Sequence, residues 1–160
     1  VSLGDYGTRN GEFLEELVAT FTRAGATVRG VPDLAHAQWV KLVWNVPFNG
    51  LCISEGGIDT EALLKMEGGE EKVREMMGEV LVAAAALGHV IPDSVAVEQL
   101  TRTYPMGPYR PSSMIDYVEG SEVEVNAIWE EPLRRAKEAG AELPAWERLL
   151  GEIREKVDGR

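Results

Sequence analysis

Thirteen consecutive residues, Trp39 to Leu51, read WVKLVWNVPFNGL, and ten of them are apolar or glycine. The remaining three, Lys41, Asn45 and Asn49, stand four apart. A helix turns about 100° per residue, so each step of four advances only about 40° and all three fall on one flank of a cylinder that is apolar elsewhere. Such a helix belongs in a core. Its ammonium and two carboxamides then need protein partners, water or a ligand, because a buried polar group without a partner costs about 1–3 kcal/mol. The stretch therefore asks for a helical core around it and marks a candidate site.

The rest of the chain can supply that core. A length of 160 residues with 44% hydrophobic and 27% charged content suits a single soluble domain. A net charge of −11 without a basic face argues against nucleic acid as a partner, and the apolar runs are too short or too broken to cross a membrane. The single cysteine, Cys52, cannot close an internal disulfide, which fits a reducing, cytoplasmic location; in an apolar run it reads as core rather than nucleophile. His36 and His89 lie far apart with no ligand spacing around them, so no metal site is expected. The chain opens directly on VSLGDYG, which reads as a cut through a longer polypeptide.

Taken in order, Val1 to Leu3 alternates like a strand and stops at Gly4 and Gly7. Asn10 can cap a helix whose inward residues are Phe13, Leu14, Leu17, Val18 and Phe21, closed by Gly25. Thr27 to Val31 reads as a second strand, giving β-α-β over residues 1–31, followed by a helical domain over 32–160. Helices are expected to about Cys52, over Thr60 to Met66 with Asp59 as cap, and through Val73 to Leu87 as far as Gly88. Another starts at Pro92-Asp93 with Val97 and Leu100 inward. YPMGPYRP, residues 104–111, is a stiff loop, and the last helices are Ser121 to Ala139, interrupted by Pro132, and Pro144 to Val157. No glycine pattern G-x-G-x-x-G and no P-loop is present.

Several residues could carry chemistry. A desolvated Lys41 beside Trp39, Trp44 and Phe48 would have its pKa lowered from about 10.4 and become a usable proton donor; a snorkelling rim lysine is the plain alternative, and spacing alone leans that way. Pro47 lacks the N–H that the Val43 carbonyl needs, so the helix is expected to kink or unwind there, or to begin its end. Ser112 and Ser113 behind Arg110 could start an anion-binding helix, while Ser113 and Asp116 equally fit a local capping box. Ser121 and Glu124 form a second S-x-x-E box, with Glu124 alternatively free to accept from a ligand hydroxyl.

The ordered set, K-x-x-x-N-x-x-x-N at Lys41, Asn45 and Asn49, then SSM with a following aspartate at Ser112 to Asp116, then VEV around Glu124 ahead of LRRAKEAGAELP, resembles the carboxy-terminal domain of the ketopantoate reductase family (2-dehydropantoate 2-reductases). The resemblance covers essentially the whole chain. It implies a mainly α, multi-helical domain of the 6-phosphogluconate dehydrogenase-like type behind a short β-α-β remnant of a Rossmann domain. It also implies hydride transfer from NADPH to ketopantoate, giving pantoate on the way to coenzyme A, with the cofactor held mainly by an amino-terminal Rossmann domain of the same polypeptide. Lys41 would then be the catalytic general acid, with Asn45 and Asn49 orienting substrate, Ser113 bonding its carboxylate and Glu124 its hydroxyl. The fragment alone would be inactive. This chain departs from the family in spacing SSM to its aspartate one residue closer, in Val123-Glu124-Val125-Asn126 for Thr-Glu-Ile-Asp, in IWEEP and in Pro47. Two alternatives therefore stand beside ketopantoate reduction: another small 2-oxo acid as substrate, or a non-catalytic helical dimerisation module, a homodimer, on the same scaffold.

Overall fold

The computed structural model describes residues 1–4 and 11–159. Asn10 and Gly7, expected to cap the first helix and end the first strand, lie outside the described residues. The described chain is mainly α, with eight α-helices and one two-stranded sheet, and it divides into two compact units, Val1–Trp39 and Val40–Arg160.

In the first unit, β1 (Ser2–Gly4) and β2 (Arg29–Val31) pair in parallel, Leu3 opposite Gly30. Parallel neighbours need a crossover, and α1 (Gly11–Arg23) provides it. Leu14 and Val18 of α1 lie over Gly30, where a Cβ would stand 3.5–3.6 Å from their methyl groups. Leu14, Leu17 and Val18 are half-buried, but Phe13 and Phe21, expected inward, are 53% and 45% exposed. Two short strands offer too little surface to cover a full helical face.

The second unit holds most of α2 (Leu34–Ser54), whose start Asp33 caps by accepting from the His36 N–H at 2.8 Å. Helical structure runs unbroken through Pro47, so the expected unwinding or ending there does not occur. The reason is packing: all eight residues from Val46 to Ile53 are buried, and that burial outweighs the roughly 3 kcal/mol an interior proline costs. Gly50 makes the packing possible. A Cβ there would come within 2.8 Å of both Leu149 Cδ2 and Trp129 Nε1.

After α2 come α3 (Thr60–Lys65), α4 (Gly69–Ala86), α5 (Asp93–Thr103), α6 (Ser112–Glu119), α7 (Glu131–Glu138) and α8 (Pro144–Asp158). Asp59 caps α3 as read, accepting from the Ala62 N–H at 2.9 Å. α4 is the hub, in contact with α3, α5, α7 and α8. It faces inward through Val73, Met76, Met77, Val80, Ala83 and Ala84. On α5, Leu100 is buried as expected, whereas Val97 is 55% exposed. The helix expected over Ser121 to Ala139 is present but starts later, at Val125. Residues 121–124 are non-helical, and from Val125 the chain winds through a π-helical turn, Asn126–Glu130, into α7, where Pro132 sits in the first turn; the expected interruption there does not occur. Trp129, in the π turn, is fully buried and donates from Nε1 to the Val46 carbonyl at 3.0 Å. Among the described residues no helix is long and apolar enough to cross a membrane.

Candidate functional site

The polar flank of α2 grades from surface to core. Lys41 is exposed, Asn45 half-buried and Asn49 only 1% exposed. The expected desolvation of Lys41 is therefore not met in this chain: Trp44 stands beside it in a groove, but Phe48 is fully buried, stacked behind Trp44 with ring centres 4.9 Å apart.

That groove, about 250 Å³, is lined by Lys41, Trp44 and Asn45 of α2, Gln99 and Arg102 of α5, and Met106 and Tyr109 of the following loop. Its walls are tied together. Trp44 Nε1 donates to Thr103 Oγ1 at 2.8 Å, and that hydroxyl donates to the Gln99 carbonyl at 2.7 Å, pinning α5 to α2. The loop is fixed by buried Thr60, whose N–H donates to the Tyr109 carbonyl at 3.0 Å and whose Oγ1 lies 3.1 Å from the Gly107 carbonyl. Gly107 takes φ +64, a left-handed value that suits glycine. Tyr109 then meets Trp44 edge-on at 5.9 Å. At the loop's other end the Tyr104 hydroxyl donates to the Glu70 carboxylate, which with Arg74 holds that carboxyl below its ordinary range.

Charge distinguishes this groove. The chain carries 27 acidic residues, yet no carboxylate lines it, and neither Lys41 nor Arg102 has an ion-pair partner among the described residues. Two unpaired cations around a small hollow suit a small anion.

Asn49 does something other than face the groove. Its Oδ1 accepts from the Ser113 N–H at 2.9 Å and its Nδ2 donates to the Asn45 carbonyl at 3.2 Å. α6 begins at Ser112 behind Pro111, which has no side chain to cap it, so the Asn49 carboxamide performs the cap from 64 residues away. The local Ser113–Asp116 box does not form, and neither does the Ser121–Glu124 box; the Ser121 N–H instead closes α6 by donating to the Asp116 carbonyl at 2.8 Å. Ser113 is buried beside Asn49.

Glu124 is exposed and lines a separate hollow of about 430 Å³ with Glu122, Glu130 and Asp158. The arginine there, Arg154, is already paired with Glu130 at 2.5 Å. So acidic a hollow is a poor receptacle for an anion. The structure thus brings Lys41 and Asn45 together and links Asn45 to Asn49 and Asn49 to Ser113, but sets Glu124 apart. Cys52 is buried, and that burial, with the Asp59 charge second, pushes its thiol up to about 12, which suits core rather than nucleophile. Among the described residues no His, Cys, Asp and Glu cluster is placed to hold a metal ion.

Gln99, Arg102 and Tyr109 escaped the sequence reading. The three-residue spacing of Gln99 and Arg102 places them on one helical face, a signal visible in the sequence. Without the fold, nothing says that this face looks at Lys41.

The fold sets an exposed lysine beside a small hollow that no carboxylate lines, on an all-helical body. The family described as Ketopantoate reductase PanE/ApbA C terminal matches residues 33–157, and the chain belongs to that family. It is 35% identical over 165 residues to a 2-dehydropantoate 2-reductase of Nostoc sp. (strain PCC 7120 / SAG 25.82 / UTEX 2576), covering 100% of this chain and 51% of that protein. Among solved structures it is similar to 2-dehydropantoate 2-reductase from Geobacter metallireducens GS-15, at 36% identity and TM-score 0.90 over 96% of this chain and 52% of that one. The enzyme of the same name from Methylococcus capsulatus gives 31% identity and TM-score 0.88, over 96% and 49%. The chain spans about half the length of these relatives.

Proposed function

We propose that this chain is the substrate-binding half of an NADPH-dependent 2-dehydropantoate 2-reductase that reduces ketopantoate to pantoate for coenzyme A biosynthesis. The observation that carries the reading is the unpaired Lys41 in a small, carboxylate-free groove beside Asn45. Reduction of a 2-oxo acid builds negative charge on the carbonyl oxygen, and an ammonium directed at that oxygen both stabilises the charge and delivers the proton. Asn45 orients the substrate from the next turn of α2. Asn49 acts through α6, holding the helix start that presents Ser113, the residue to which the resemblance gives the carboxylate.

NADPH, when bound, supplies the hydride. This chain is not assigned its cradle: Gly4 to Gly11, GDYGTRNG, lacks the glycine spacing that lets a backbone approach a pyrophosphate. The part of the relatives that this chain does not cover is the expected holder, so the 160 residues alone are expected to show no turnover. Steady NADPH oxidation with ketopantoate by this chain alone would overturn that expectation. In the full-length protein Lys41→Ala should lower kcat for ketopantoate about 100-fold or more, the scale of lost general acid catalysis. An unchanged kcat would remove Lys41 from the reaction.

A second reading, reduction of another small 2-oxo acid, is favoured by the place of Glu124. The residue to which the resemblance gives the substrate hydroxyl lines the acidic hollow rather than the Lys41 groove. Comparison of kcat/KM across 2-oxo acids with and without that hydroxyl decides between the two readings.

A further inference from the structure

Gln99, on the wall of the Lys41 groove, carries a buried side-chain oxygen that has no hydrogen-bond partner among the described residues. The residue is 8% exposed, and its backbone carbonyl, by contrast, is held by Thr103. An orphaned buried acceptor is costly and asks for a partner. Three residues on, and so on the same helical face, exposed Arg102 also lines the groove and has no ion-pair partner among the described residues.

Resting on the reading that this groove holds a small hydroxylated 2-oxo acid, we propose that Gln99 and Arg102 form its gripping wall: Arg102 takes the substrate carboxylate that the resemblance gives to Ser113, a residue buried outside the groove's lining, and Gln99 accepts a hydrogen bond from the substrate hydroxyl. The division follows from chemistry. A guanidinium stays charged at any working pH and presents a fork of donors that matches a carboxylate. An amide carbonyl can only accept, and the one donor on ketopantoate is its hydroxyl. Lys41 on the opposite wall is then left for the carbonyl oxygen between those two groups. The tie from Trp44 through Thr103 to Gln99 fixes the spacing of the two walls, so the grip is set before substrate arrives.

The test uses the full-length protein with ketopantoate and its analogue lacking the hydroxyl, 3,3-dimethyl-2-oxobutanoate. Arg102→Gln should raise KM for both compounds about 10-fold or more, the scale of a lost charge-assisted bond, with kcat within a few-fold of wild type and Arg102→Lys recovering part of the loss. Gln99→Leu should raise KM for ketopantoate about 3- to 10-fold and leave the analogue unchanged, erasing the preference for the hydroxyl. It should also raise Tm, because an apolar side chain of similar size replaces an orphaned acceptor; a merely structural glutamine would lower Tm when removed. Calorimetric titration of ketopantoate into each variant reads the same losses without turnover. A wild-type KM in Arg102→Gln, or a retained hydroxyl preference in Gln99→Leu, overturns the proposal while ketopantoate reduction by the wild type stands. Failure of the wild type to bind or reduce either compound removes the functional reading and the proposal with it.

Discussion

Replacement of Asn49 by alanine tests whether one side chain holds two helices in register. The change removes the acceptor for the Ser113 N–H and the donor to the Asn45 carbonyl, at a position 1% exposed. The Asn45 carbonyl loses only a supplementary donor. The Ser113 N–H is different, since it sits in the first turn of α6, where no carbonyl precedes it and Pro111 offers no cap. Loss of a cap costs about 0.5–2 kcal/mol, and a buried donor left unpaired costs about 1–3 kcal/mol. Both figures describe the same missing bond, so they overlap rather than add, and about 2 kcal/mol is the expected loss. For a domain of this size that lowers Tm by about 4–8 °C. Thermal unfolding followed by tryptophan fluorescence suits the measurement, because Trp129 and Trp146 are fully buried. Amide exchange should quicken first at the start of α6. A fall in Tm below about 1 °C, with Ser113 still protected, would refute the capping assignment.

Two further outcomes follow from the packing of α2. Gly50→Ala forces a methyl to within 2.8 Å of Leu149 and Trp129, so about 1–3 kcal/mol of overpacking cost should appear in urea unfolding; a stability equal to wild type would show that α8 yields freely. Cys52 should resist thiol reagents in the native state at pH 8 and react on unfolding, since its thiol is pushed up to about 12. Because the folded pKa lies above the unfolded one, the folded state holds the extra proton between them. Stability linked to Cys52 is then complete below the ordinary thiol range near 9 and declines as pH rises toward about 12. A Cys52→Ala variant that loses stability across that range as steeply as wild type would contradict this.

Much of the architecture was legible because it rests on local signals. The apolar run of α2, the Asp59 cap, the Gly88 stop after α4 and the Pro144 start of α8 all act within one or two turns. The failures share a cause. Ser113–Asp116 and Ser121–Glu124 both have the spelling of a capping box, but a cap goes to whichever acceptor the fold delivers. α6 takes Asn49 from α2, and α8 takes the Glu79 carboxylate from α4, which accepts the Ala145 and Trp146 N–H groups at 2.8 and 2.7 Å. Partners more than sixty residues away leave no local pattern. The unbroken helix through Pro47 is a similar case of tertiary packing overriding a local rule. Lys41 could be found from its spacing, whereas the groove that gives it meaning needed α5.

The π turn before Pro132 has a bearing on Glu124. A π turn takes one more residue per hydrogen bond than an α turn, so Asn126–Glu130 stores one residue that the rest of α7 does not count. The helix downstream, with Leu133 and Ala136 seated in the core, is indifferent to that surplus. The chain upstream is not. If the same five residues wound as α-helix instead, the surplus residue would swing the approach from Glu124 round by about 100°. The direction of this carboxylate, toward the acidic hollow or away from it, is therefore written in the winding of a five-residue segment as much as in the identity of any residue within it.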